Sequence, residues 1–160
     1  MKYVINIDGS GAEEAIRGVL AYRRWLEERT KELVQKLAER GAEIARVGFE
    51  TAEYDGTNDV SVNVEDRGEF ARAVIATGQA TLFIEFGSGL IGFGHKEPLE
   101  YGPGTWSDGP QGKGHWQDPN GWYYAHGKKS FGNPPASAMY NARKQIEEDL
   151  TTIAREVFSH

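Results

Sequence analysis

No cysteine occurs in the 160 residues of this chain, which excludes a disulfide framework, a thiolate metal site and a cysteine nucleophile. Long apolar runs are missing too. Nothing approaches the ~18–20 residues a membrane span needs, and the stretch from Tyr3 to Ile7 is too short for a signal-peptide core. Basic residues are the minority: 18 Lys and Arg against 24 Asp and Glu leave a net charge of −6. That balance argues against wrapping nucleic acid by phosphate neutralisation. The expectation is an acidic domain made in the cytoplasm, with no membrane partner. Proline is rare in a telling way. All 6 prolines fall between residues 87 and 135, with 12 of the 20 glycines and most of the tryptophan and histidine.

The length suits one domain, residues 1–160, large enough to bury a core without metal or disulfide. The glycine- and proline-rich stretch at about 87–135 reads as an irregular insertion between two regular parts. Residues 2–7 are β-branched and aromatic enough for a short strand, which Asp8-Gly9 breaks. Ser10 and Glu13 have the spacing of a capping box, and a proline-free helix is expected from about 11 to 47. Its apolar positions are Val19, Leu26, Leu33, Leu37 and Ile44, with Val34, Ala38 and Ala45 beside them. Glu13–Arg17, Glu27–Lys31 and Glu32–Lys36 are spaced for pairing along the helix. About 35 residues of helix would be about 50 Å long. Either part of its face lies against another chain, or a break near Gly41 folds the end back.

Asp55 to Asn58 is a turn cluster. Val60, Val62 and Val64 then alternate with polar residues, the period of a half-buried strand. Asp66-Arg67-Gly68 reads as the hairpin loop, with Phe70 to Thr77 returning. Thr81 to Phe86 is a short apolar run whose periodicity fits strand or helical turn alike. Asn133-Pro134-Pro135 reads as a helix start, with Asn133 as cap and proline at the first helical position. Met139, Ile146, Leu150, Ile153 and Val157 form the apolar side of that last helix, flanked by Tyr140, Ala154 and Phe158. The fold class expected is α+β.

The insertion carries the tempting chemistry. His95, His115 and His126 match no compact metal-ligand spacing. Phe86-Gly87-Ser88-Gly89-Leu90 lacks the spacing of a nucleophile elbow, and no lysine completes a phosphate-binding loop at Gly87–Gly94. No catalytic residue, metal or cofactor is therefore assigned. The aromatic residues Trp106, Trp116 and Trp122 with their tyrosine neighbours suit a contact surface. One reading is protein–protein packing; the other is a glycan- or cell-wall-binding module built on residues 101–131.

The segment Ala80-Thr81-Leu82-Phe83-Ile84-Glu85-Phe86-Gly87-Ser88-Gly89, followed by a variable loop and a proline-led final helix, resembles the neck and tail-completion proteins of long-tailed bacteriophages. These are ring-forming head–tail connector or minor capsid proteins. The order of long charged helix, β-hairpin, Glu-Phe-Gly element and final helix is similar too. The chain departs from the family between Phe49 and Gly56, where relatives often carry a basic segment, and in the length of its loop. The resemblance implies a virion structural protein without enzyme activity: a homo-oligomeric ring that meets portal or adaptor and tail proteins. DNA would pass through it without sequence-specific binding, and a net negative lining would keep that DNA from sticking. It would reside in the host cytoplasm during assembly and afterwards in the virion neck. The candidate interface residues are Glu85, Phe86, Gly87, Ser88 and Gly89, with Trp106, Trp116 and Trp122. The Glu85 carboxylate could cap a turn, pair with a cation of a neighbouring copy, or stand exposed.

Overall fold

The computed structural model describes residues 9–88, 112–113, 122–124, 129–130 and 132–159. The strand expected over residues 2–7 lies outside them. Helix α1 (Gly9–Glu50) runs unbroken for 42 residues, about 63 Å at 1.5 Å per residue. Ser10 sits inside the helix. Glu32 does pair with Lys36 at 3.0 Å. Lys31 instead crosses to Glu69 of the hairpin at 2.8 Å, and Glu27 takes Arg23, also at 2.8 Å.

Strands β1 (Ser61–Gly68) and β2 (Ala71–Thr77) pair antiparallel, with Val62 opposite Ala76 and Val64 opposite Val74. The alternation has the physical meaning expected of it: those four side chains share the face turned to α1. The turn lies at Glu69-Phe70, one step beyond the expected loop, because a bulge between Asp66 and Gly68 carries the first strand further. Arg72 donates from Nε to Gln35 Oε1 at 2.8 Å and so ties the hairpin to α1. The run from Thr81 to Phe86 is helix α2 (Thr81–Phe86). Within the insertion, β3 (Gly112–Lys113), β4 (Trp122–Tyr124) and β5 (Lys129–Ser130) form a small antiparallel sheet in that order.

Helix α3 (Ala138–Phe158) packs antiparallel along α1. Its start opposes Gly48, its middle opposes Gly41, and its end meets Trp25. Gly41 marks no break. A Cβ there would overlap Ile146 Cδ1 and lie 3.5 Å from Val74 Cγ2, so the glycine lets α1, α3 and the hairpin close on one point. A Cβ on Gly48 would come within 2.8 Å of Ala138 Cβ. The core is built around these close approaches: Ala42, Ala45, Phe49, Val62, Ala80, Ile84, Ala138 and Ala142 are buried together. Phe49, Ile84 and Val157 are the largest side chains wholly removed from water, each contributing roughly 1.5–3 kcal/mol of burial. The architecture is α+β: a long first helix against which both the two-stranded antiparallel sheet and the final helix pack.

Candidate functional site

Two features stand out, and each begins from residues singled out in the sequence. The first is the junction between α2 and α3. Asn133 is not the cap of α3; that position is Ser137, four residues further on. The residue before a proline is held extended, so Asn133-Pro134-Pro135 leads into the helix without joining it. Ser137 sits at φ 50°, ψ 37°, a left-handed conformation, and its own side chain caps nothing.

The donors left open at that helix start are met from far upstream. Glu85, in the last turn of α2, is buried, and its carboxylate accepts the N–H of Met139 at 2.9 Å and of Tyr140 at 3.2 Å. This is the role of an N-cap side chain, filled by a negative charge at the positive end of the helix dipole. The backbone strengthens it: Ala136 N–H donates to Ile84 O at 2.8 Å and Ser137 N–H to Glu85 O at 3.0 Å. Of the roles open to Glu85, the geometry thus gives it the capping one. It is not a surface charge.

Gly87 follows with φ 74°, a backbone that side-chain-bearing residues rarely adopt, and it turns the chain out of α2. Ser88 and Asn133 then face each other in an antiparallel bridge. The Ser88 hydroxyl donates to Asn133 Oδ1, and Asn133 Nδ2 donates to Phe83 O at 2.9 Å. Phe86 is half-buried beside them. The two ends of the insertion are therefore pinned together at the point where the Glu-Phe-Gly element meets the final helix. Gly89, Trp106 and Trp116 lie outside the described residues, as do His95, His115 and His126; Trp122 contributes backbone to β4. Among the described residues no three His, Cys, Asp or Glu side chains are placed to hold a metal ion.

The second feature is the first half of α1. Of the expected apolar face, Ala38 and Ala45 are buried and Leu33, Val34, Leu37 and Ile44 half-buried. Val19 and Leu26 are not: Val19 is 63% exposed, Ile16 60%, Leu20 and Tyr22 47%, and Leu26 40%. The cause is length. Helix α3 ends at Phe158, whose ring meets Trp25 edge-on at 5.8 Å, and the hairpin turn reaches only to Lys31. The α1 segment ahead of Trp25 has neither neighbour beside it. Leu150 and Tyr140 of α3, expected on its apolar side, are also exposed, at 44% and 53%.

Several structural residues carried no sequence signal beyond their place in a turn. Asp59 accepts the N–H of Gln79 at 2.8 Å and of Ala80 at 2.9 Å, so it holds the entrance to α2. Those bonds, to Ala80 first and Gln79 second, hold its carboxyl below the ordinary aspartate value. Asn58 Nδ2 donates to Phe49 O at 2.8 Å, closing the end of α1. A shallow concavity of about 430 Å³ lies here, lined by Tyr54, Thr57, Asp59, Gln79, Ala80 and Phe83. Its carboxylate is already engaged by Gln79 and Ala80. No described helix is long and apolar enough to cross a membrane. No protein-family model matches the chain, and neither a curated protein nor a solved structure matches it.

Proposed function

We propose that the chain is a structural protein of a long-tailed bacteriophage, a ring-forming head–tail connector or tail-completion component that acts through contact and carries out no reaction. The observation that carries this reading is the set of exposed apolar side chains from Ile16 to Leu26 on a helix that extends past the other described elements packed along it. Surface of that kind, in one contiguous patch, is a mark of interaction sites. A contact of one patch with a different patch on the next copy closes into a ring when the rotation allows. The meeting of the Glu-Phe-Gly element with the proline-led helix adds support, since the two stretches that carry the resemblance form one hydrogen-bonded junction. In this reading portal or adaptor and tail proteins are the other partners, and the acidic chain lets DNA slide past. The protein assembles in the host cytoplasm and ends in the virion neck.

The test is assembly. Purified protein, alone and with a portal complex, is examined by native mass spectrometry and negative-stain microscopy. Closed rings of fixed copy number support the proposal. A chain that forms no ring in either setting, while cell-wall fragments quench its tryptophan fluorescence, overturns it in favour of the glycan-binding reading.

A further inference from the structure

We infer that the entry to α3 is a two-position hinge at Ser137, in which Glu85 and Ser137 exchange the duty of capping the helix. Serine is among the strongest N-cap residues, and from that position its hydroxyl reaches the N–H of the second or third helical residue. Counted from Ala138, those residues are Met139 and Tyr140, the same two whose N–H groups Glu85 holds at 2.9 and 3.2 Å. Helix α3 thus has two acceptors for one pair of donors, and Glu85 has both.

What keeps Ser137 out is its backbone. An N-cap residue is extended, whereas Ser137 sits at φ 50°, ψ 37° and its side chain caps nothing. Among the described residues it is the one non-glycine with a positive φ, a conformation that persists only where the surroundings enforce it. The enforcing bonds tie the lead-in to α2: Ala136 N–H to Ile84 O at 2.8 Å and Ser137 N–H to Glu85 O at 3.0 Å, with Asn133 Nδ2 on Phe83 O at 2.9 Å. Docking the lead-in therefore strains Ser137 and takes its hydroxyl out of use.

The second position follows from turning φ and ψ of Ser137 alone. With Ser137 extended, its hydroxyl accepts from Met139 or Tyr140 and Glu85 is released. Residues 133–136 swing off α2 as a stiff piece, since Pro134 and Pro135 have fixed φ. The Glu85 carboxylate then meets water in place of the two N–H groups. Everything after the hinge stays put. Ser137 O keeps the Asn141 N–H, held at 2.9 Å, because that carbonyl belongs to the peptide plane joining Ala138. Ala138 remains against Gly48 of α1, and α2 remains seated through the buried Ile84 and the bonds from Asp59. Swinging breaks the bonds to Phe83, Ile84 and Glu85 but gives back a relaxed backbone and a local cap. The lead-in thus opens more readily than it would from a helix start left bare. Neither position depends on whether the chain forms a ring.

Hydrogen exchange of the full chain, read by NMR, tests the hinge. In the parent the Ala136 amide exchanges through the swung position. Ser137→Ala keeps the left-handed strain and removes the local cap, so that position becomes rarer. Ala136 should then exchange about fivefold more slowly, with the urea midpoint unchanged. A hydroxyl with a merely structural role would speed exchange on removal, not slow it. Ser137→Gly accepts the positive φ freely and should slow Ala136 at least as much while raising the midpoint. Glu85→Ala should send Ser137 to the extended position, seen in its Cα and Cβ chemical shifts. On that background Ser137→Ala should raise the unfolding constant about fivefold, against less than about twofold in the parent. Ala136 exchange that is unchanged or faster in Ser137→Ala, or an equal cost of that change with and without Glu85, would overturn the hinge. The exchange measurement leaves Glu85 in place, so it decides the matter even if Glu85→Ala does not fold.

Discussion

Substituting alanine for Gly48 adds one carbon where the start of α3 lies close against α1. That Cβ would lie 2.8 Å from Ala138 Cβ and 3.1 Å from Ala138 Cα, against about 3.5–4.0 Å for a relaxed carbon contact. Neither neighbouring atom can swing away, since one is backbone and the other is fixed to it. The helices must therefore separate by up to about 1 Å, and a gap of that size forfeits a quarter to a half of each contact it opens. Ala45, Phe49, Ala138 and Ala142, all nearly inaccessible to solvent, line the opening. Overpacking of this kind costs about 2–3 kcal/mol, while alanine in place of glycine returns about 1 kcal/mol of helix propensity. The net expectation is a loss of about 1–2 kcal/mol.

Gly41→Ala is the control. It gains the same propensity, but its new Cβ meets the free end of Ile146, which can rotate aside, so stability should stay level or rise by up to about 1 kcal/mol. Urea unfolding followed at 222 nm, at one fixed low protein concentration, measures both; the slopes should match the parent. Pairing Gly48→Ala with Ala138→Gly should recover part of the loss as a coupling of at least about 0.5 kcal/mol. If Gly48→Ala matches or exceeds the parent, or if Gly41→Ala proves the more damaging change, the close-approach argument is wrong.

Glu85→Ala leaves the Met139 and Tyr140 N–H groups without their acceptor and should cost about 2–4 kcal/mol by the same assay. Glu85→Gln keeps one oxygen and should cost about half as much; equal costs would mean the charge, not the hydrogen bonds, matters. Asn133→Ala removes the donor to Phe83 O and the acceptor for Ser88, for an expected loss of about 1–3 kcal/mol. Asp59 and Asp149 both have carboxyls held below the ordinary value of 3.8, the first by Ala80 and Gln79, the second by Gln145 and Arg40. A depressed folded-state value means that stability is present above pH 3.8 and lost as pH falls through the lower folded value. Asp59→Asn should therefore be less stable than the parent at pH 7, and the difference should shrink below pH 4; an undiminished gap at pH 2.5 would exclude the linkage.

What could be read from the chain was what depends on near neighbours. The alternation of Val60, Val62 and Val64 places a strand because each side chain answers to the next but one, and the long proline-free run places α1 for the same reason. Gly41 could be read only as a weak point, because its use lies in Ile146, a residue on another helix. Asn133 resembled a cap because asparagine before proline so often is one; the structure gives that duty to Glu85, 54 residues away from Met139. Thr81 to Phe86 was undecided over six residues, and the bonds from Asp59 at its entrance and its Glu85 hold on α3 settle it as helix. For the candidate site, the Glu-Phe-Gly motif was legible as a unit, and its burial was not. That burial needs a partner backbone no local pattern records. The over-long helix face was legible because length and hydrophobicity are both properties of one continuous segment.

The bridge between Ser88 and Asn133 has a consequence for how such a chain can change. At that bridge the chain leaves the helical body after Ser88 and rejoins it at Asn133, through one hydrogen-bonded pair. Adding residues between the two ends that this bridge joins costs little in closure entropy, only about 0.6 kcal/mol for each doubling of the loop. Whatever the length between them, the frame is set by the bridge and by Glu85, which holds the start of the last helix in place.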